Sequence, residues 1–75
     1  MEDSTIIFLI NNKIETIKSL IAIHQKDIEE YELKAKDPKY NYFLCNVSLA
    51  HHKGYKSALE HSLQSMEDLL GLVEA

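Results

Sequence analysis

Three side chains in this sequence have the types and spacing to hold an ion or share a proton: His24, Asp27 and His52. His24 and Asp27 stand one helical turn apart, so an imidazole and a carboxylate would project from one face. His52 joins them only if the chain folds back on itself between the two histidines. Two imidazoles and a carboxylate can coordinate a divalent transition ion, with Asp27 as third ligand or as acceptor behind a ligating ring, or they can pass a proton between them. The marks of a dedicated metal site are missing, since neither His-Glu-x-x-His nor Glu-x-x-His occurs anywhere in the chain. The expectation is therefore a polar layer that fixes helix register, as one buried asparagine does in coiled coils, with no metal and no cofactor.

The remaining reactive residue types are less well placed. Cys45 is the only cysteine, and on a helix His52 would lie two turns away, out of reach as a base, so a small core hydrophobe is the reading. Glu60-His61 and Glu67-Asp68 are sequence neighbours that point apart on a helix, which removes the simplest paired arrangement for acid–base work. Gly54 and Gly71 are the only glycines, too few for a phosphate-cradling loop. No catalytic residue is expected and the chain reads as a non-enzyme, with a metal-dependent enzyme built on the histidine layer as the remotest alternative.

A second constellation is physical rather than catalytic. Lys34, Lys36, Lys39, Lys53 and Lys56 interleave with Tyr31, Tyr40, Tyr42, Phe43 and Tyr55, while Asp37 is the only acidic residue between positions 33 and 59. Such a patch could stack and neutralise single-stranded nucleic acid. Against that stand a net charge of -4 and the absence of arginine, which removes the planar fork that grips phosphate and guanine. Lys36, Lys39, Tyr40, Tyr42, Lys53 and Tyr55 are accordingly expected to dock a protein partner, and an RNA-binding hairpin is the alternative.

The elements that must position these residues are legible from periodicity. Ile7, Ile10, Ile14, Ile17, Ile21, His24, Ile28, Tyr31 and Ala35 recur at alternating three- and four-residue steps, the spacing of one stripe on one long helix. Ser4 is a candidate N-cap, and Asp37-Pro38 reads as the start of a second helix, aspartate as cap and proline in the first turn. The prediction is a single domain over 1–75, with a helix over 4–36, a turn at 37 and a helix over 38–73. Gly54 is where the second helix would break if it breaks at all. A connection this short makes the helices antiparallel.

The fold class is then all-α, an antiparallel hairpin, and its apolar surface exceeds what two helices can cover. Five consecutive apolar residues, Ile6 to Ile10, point all round their helix and face the Met66 to Val73 end. A chain of 75 residues buries only about 60% of its extended surface when it folds alone, and one cysteine forms no internal disulfide. Self-association into a dimeric four-helix bundle is expected, with Ile6, Ile7, Phe8, Ile10, Met66, Leu69, Leu70 and Val73 at the interface. This architecture is similar to that of the Rop family of dimeric helical hairpins, a likeness that implies RNA binding but rests on no shared motif. The sequence shows neither a leader nor a membrane span, so a cytoplasmic regulatory protein is expected, and its isoleucine- and lysine-rich, arginine-free composition suits an AT-rich bacterial or phage genome.

Overall fold

The structure is a computed structural model that describes residues 2–75. It consists of two helices, α1 (Glu2–Ala35) and α2 (Tyr42–Glu74), laid antiparallel in a rod of 58 × 14 × 12 Å. The isoleucine seam forms the core: Ile10, Ile14, Ile17 and Ile28 of α1 are buried, and Cys45 and Leu49 of α2 are buried with them. Leu59, Leu63, Met66, Leu70 and Val73, which continue the α2 stripe, are only half-buried. A single helix is too narrow to cover the wide apolar arc on its partner, so burial is deep along the α1 isoleucines and shallower along the second half of the α2 stripe.

The turn departs from the sequence expectation. The first helix closes with amides Lys36 and Asp37 donating to the carbonyls of Leu33 and Lys34 at 3.2 and 3.1 Å, the tighter spacing common at helix ends. Asp37 does not cap the second helix. Its Oδ1 accepts from the amide of Lys39 at 3.1 Å, and its carbonyl accepts from the amide of Tyr40 at 3.1 Å, so Asp37 to Tyr40 form a turn with Pro38 in the second position. A carboxylate engaged two residues ahead is lost to capping three residues ahead. The cap falls instead on Asn41, extended at φ -71° and ψ 112°, whose Oδ1 accepts from the amide of Leu44 at 3.0 Å. The second helix thus starts at Tyr42 rather than 38, and the first begins at Glu2 rather than Ser4. Gly54 does not interrupt α2, and nothing crowds the position a Cβ would take there.

The hairpin is two-sided. On α1 the residues that precede each seam residue include Ile6, Leu9, Leu20 and Ile23, and on α2 they include Leu44, Tyr55, Leu69 and Leu72, all of them exposed. In an antiparallel pair these two flanks share one side, as the contacts His24–Tyr55 and Asp27–His52 across that side confirm. On the opposite side the residues following the seam include Asn11, Glu15, Lys18, Gln25, Glu29 and Glu32 on α1, and Asn46, Lys53, Glu60, Gln64 and Glu67 on α2, with Phe8 and Phe43 exposed among them near the two ends. The first side is thus the more apolar, though Lys13, Asp27 and Glu30 also lie on it, and the other is mainly polar. Neither helix is long and apolar enough to cross a membrane.

Candidate functional site

The histidine layer assembles as an interhelical cluster. His24 Nδ1 and His52 Nδ1 lie 2.9 Å apart, a hydrogen bond in which one ring donates and the other accepts. Asp27 Oδ2 stands 3.8 Å from the same nitrogen of His52. Three donor atoms, one each from His24, Asp27 and His52, all fall within 4.8 Å of one another.

Aromatic neighbours hold the two rings. Tyr55 stacks parallel on His24, with centroids 5.3 Å apart and planes 1° from coplanar, and Tyr31 lies over His52 at 5.8 Å and 21°. His51 packs edge-on against Tyr55 at 4.7 Å. Beside the cluster, on its polar side, Lys56 donates from Nζ to Gln25 Oε1 at 2.6 Å, and Gln25 donates on to Glu29 at 3.1 Å. The layer thus has an aromatic, acidic flank and a separate lysine–glutamine flank.

Because each imidazole is the other's partner, removing one leaves a half-buried polar atom and removing both does not. Substitution of His24 or His52 singly by leucine is expected to cost about 1 kcal/mol, while the double substitution restores stability or raises it, giving a coupling of about 1 kcal/mol in a urea-denaturation double-mutant cycle. Strict additivity would show that the 2.9 Å contact contributes nothing.

The turn patch is smaller than the sequence suggests. Lys34 sits at its centre, with Nζ 5.2 Å from the centroid of the Tyr31 ring and 5.5 Å from that of Tyr40, and Lys39 approaches Tyr40 from the other side at 5.7 Å. The Lys34 ammonium also meets Glu30 Oε1 at 3.1 Å, and that hydrogen bond to a carboxylate raises its pKa above the ordinary lysine value, so it stays charged throughout the neutral range. Tyr42 and Phe43, at 69% and 72% exposure, open the second helix, and a groove lined by Tyr31, Lys34, Tyr40, Leu44, Cys45 and Val47 runs beside them.

Tyr55 is not part of this patch, because some 20 Å of helix separates it from the turn and its ring is engaged by His24 and His51. Lys53 lies nearly as far along α2, and Lys56 belongs to the histidine layer. The sequence groups them with the turn because lysines and aromatics interleave without a gap from position 31 to 56, whereas a helix spreads that run over 1.5 Å per residue. Lys36, Lys39, Tyr40 and Tyr42 are at the turn, all exposed. Lys34, named in the lysine–aromatic constellation but not among the expected docking residues, belongs with them, since it stands three residues after Tyr31 on one face of α1.

Of the residues expected at an interface, Ile10 is taken by the hairpin's own core at 6% exposure, and Ile7, Met66, Leu70 and Val73 are half-buried on the two seams near the open end. Ile6, Phe8 and Leu69 are exposed, though Phe8 follows the seam and so points to the polar side. Leu9, Leu20 and Ile23 are equally exposed, and the same three-four count identifies them as the flank of the seam. Comparison with family models, with curated proteins and with solved structures finds no match for this chain.

Proposed function

We infer that this chain is a non-enzymatic interaction protein that works as a homodimeric four-helix bundle, the apolar side of one hairpin covering that of a second copy. The observation that carries the reading is the amount and placement of exposed apolar surface. The chain exposes 5675 Å², about 1,000 Å² more than the roughly 4,700 Å² expected of a compact monomer of its mass. A standard protein interface buries about 800 Å² per partner. The excess is of the right size, and one side carries a strip of exposed apolar side chains, from Leu9 and Leu69 at the open end to Ile23 and Tyr55 at mid-length, with Phe8 and Phe43 outside it. A second copy suits that side because it offers an equally long, equally apolar strip, and small residues there, Ala58, Ser62 and Ser65, let a helix approach closely. Light scattering of the purified chain at micromolar concentration tests the reading: twice the chain mass supports it, and the monomer mass with an unchanged thermal transition overturns it.

Pairing through the broad side leaves the two turns free. Three lysines at positions 34, 36 and 39 around exposed Tyr40, Tyr42 and Phe43 suit an acidic protein surface, since the rings supply area and the ammonium groups supply complementary charge. A role as a regulatory adaptor in a bacterial or phage cytoplasm is consistent with a small dimer that displays two such patches. The double substitution Lys39→Ala and Tyr42→Ala is expected to leave the dimer mass unchanged and to reduce anisotropy-detected binding of a glutamate-rich peptide by about tenfold or more. Tight, steeply salt-dependent binding of oligouridine, lost in the same variant, would instead favour the RNA-binding alternative.

A further inference from the structure

We propose that His24, Asp27 and His52 form a binding site for a divalent transition-metal ion, zinc being the test case, that clamps α1 to α2 at mid-hairpin. The site borders the apolar strip and the turn patch, sharing Tyr55 with one and Tyr31 with the other, but it needs no partner at either.

The donor atoms converge from both helices. Zinc binds imidazole nitrogen at about 2.0–2.1 Å, so two nitrogens 2.9 Å apart already subtend roughly a right angle at an ion placed between them. Separating the rings by about half an ångström opens that angle to the tetrahedral value. Asp27 Oδ2, 3.8 Å from His52 Nδ1, is also within the span that one ion can bridge. Its reach to His24 is longer but within 4.8 Å, and rotation of a partly exposed aspartate side chain closes the difference. The ligand types are the ones a borderline-soft ion prefers, two neutral imidazoles and one carboxylate, with water at the open side completing the shell.

Preorganisation separates this cluster from a chance grouping of surface histidines. Tyr55 on His24 and Tyr31 on His52 fix the planes of both rings before any ion arrives. The contact that the ion displaces is one neutral hydrogen bond. A dication added to two imidazoles and one carboxylate leaves a local charge of +1 on a chain whose net charge is -4, and Lys56, one turn along α2 from His52, is engaged by Gln25 on the polar side. His51 and His61 are exposed and stand outside the set.

The test uses the full chain, stripped of metal, and zinc chloride as the probe. Calorimetric titration is expected to show saturable uptake of one ion per chain, whether the chain is monomer or dimer, and saturation should raise the thermal midpoint by about 10 °C or more. Cobalt chloride should give visible absorption bands at the same stoichiometry. His52→Gln and Asp27→Asn are each expected to weaken uptake by about tenfold to a hundredfold, whereas the paired change His51→Gln and His61→Gln leaves it unaltered. Asp27→Asn keeps the contact between the two imidazoles, so it remains decisive if His52→Gln fails to fold. Absence of stoichiometric uptake, or uptake that survives Asp27→Asn and disappears with His51 and His61, would overturn the proposal.

Discussion

Lysine in place of both Leu20 and Leu69 is expected to convert the proposed dimer to a monomer while leaving the hairpin folded. Both leucines are about two-fifths exposed, at 40% and 41%, so neither substitution opens the hairpin's own core. Each would lose on the order of 1.5 kcal/mol of further apolar burial on dimerisation. A symmetric dimer repeats both losses, giving about 6 kcal/mol in all, or roughly four decades in dissociation constant. Sedimentation equilibrium would read the change directly, and circular dichroism would show whether each chain stays helical. Lysine at Glu15 and Glu60, on the polar side, is the matched control and should leave the mass unchanged. A pair of leucine substitutions that leaves the mass untouched would put the interface on another surface.

The second large effect falls inside the hairpin. Ile14 and Ile17 are each 4% exposed and lie one turn apart at the centre of the α1 seam. Truncating a buried isoleucine to alanine typically costs about 2–5 kcal/mol, because lost transfer energy and an unfilled cavity add. A chain of 75 residues has a total of only about 4–11 kcal/mol to lose. The double substitution Ile14→Ala and Ile17→Ala is therefore expected to abolish cooperative unfolding at 37 °C and most of the helical dichroism, and Ile17→Ala alone should shift the urea midpoint clearly downward. Truncating the half-buried Leu63 should cost less than half as much. An equal response at Leu63 would show that packing against a second copy has made its position as deep as the isoleucine seam.

These two predictions separate surfaces that the sequence alone ran together. The sequence assigns Ile7 and Ile10 both to the seam and, with Ile6 and Phe8, to the interface; in the structure Ile10 is in the hairpin core, Ile7 at its margin, and Phe8 on the polar side. Consecutive residues on a helix are about 100° apart, so a block of five cannot act as one patch. The division became visible only when the second helix was in place to define which direction is inward.

What the sequence determined by itself was the pair of long helices and the identity of the seam. Three-four spacing of isoleucine over most of α1 leaves one orientation in which the apolar stripe is continuous, and that local rule needs no knowledge of the partner. The juxtaposition of His24 with His52 was legible too, because each lies on its own stripe and a chain that doubles back near its midpoint brings the stripes level. Tertiary structure decided the rest. At the turn, the Asp37 carboxylate accepts from the amide of Lys39 instead of capping a helix, and the cap moves to Asn41. The choice between competing short-range hydrogen bonds depends on the path the backbone takes to align two seams, and no window of sequence contains that path. The convergence of Asp27 on the histidine pair, and the stacking of Tyr55 and Tyr31 that holds the rings, depend likewise on rotation of one helix against the other, which is set by how all the seam side chains interlock at once.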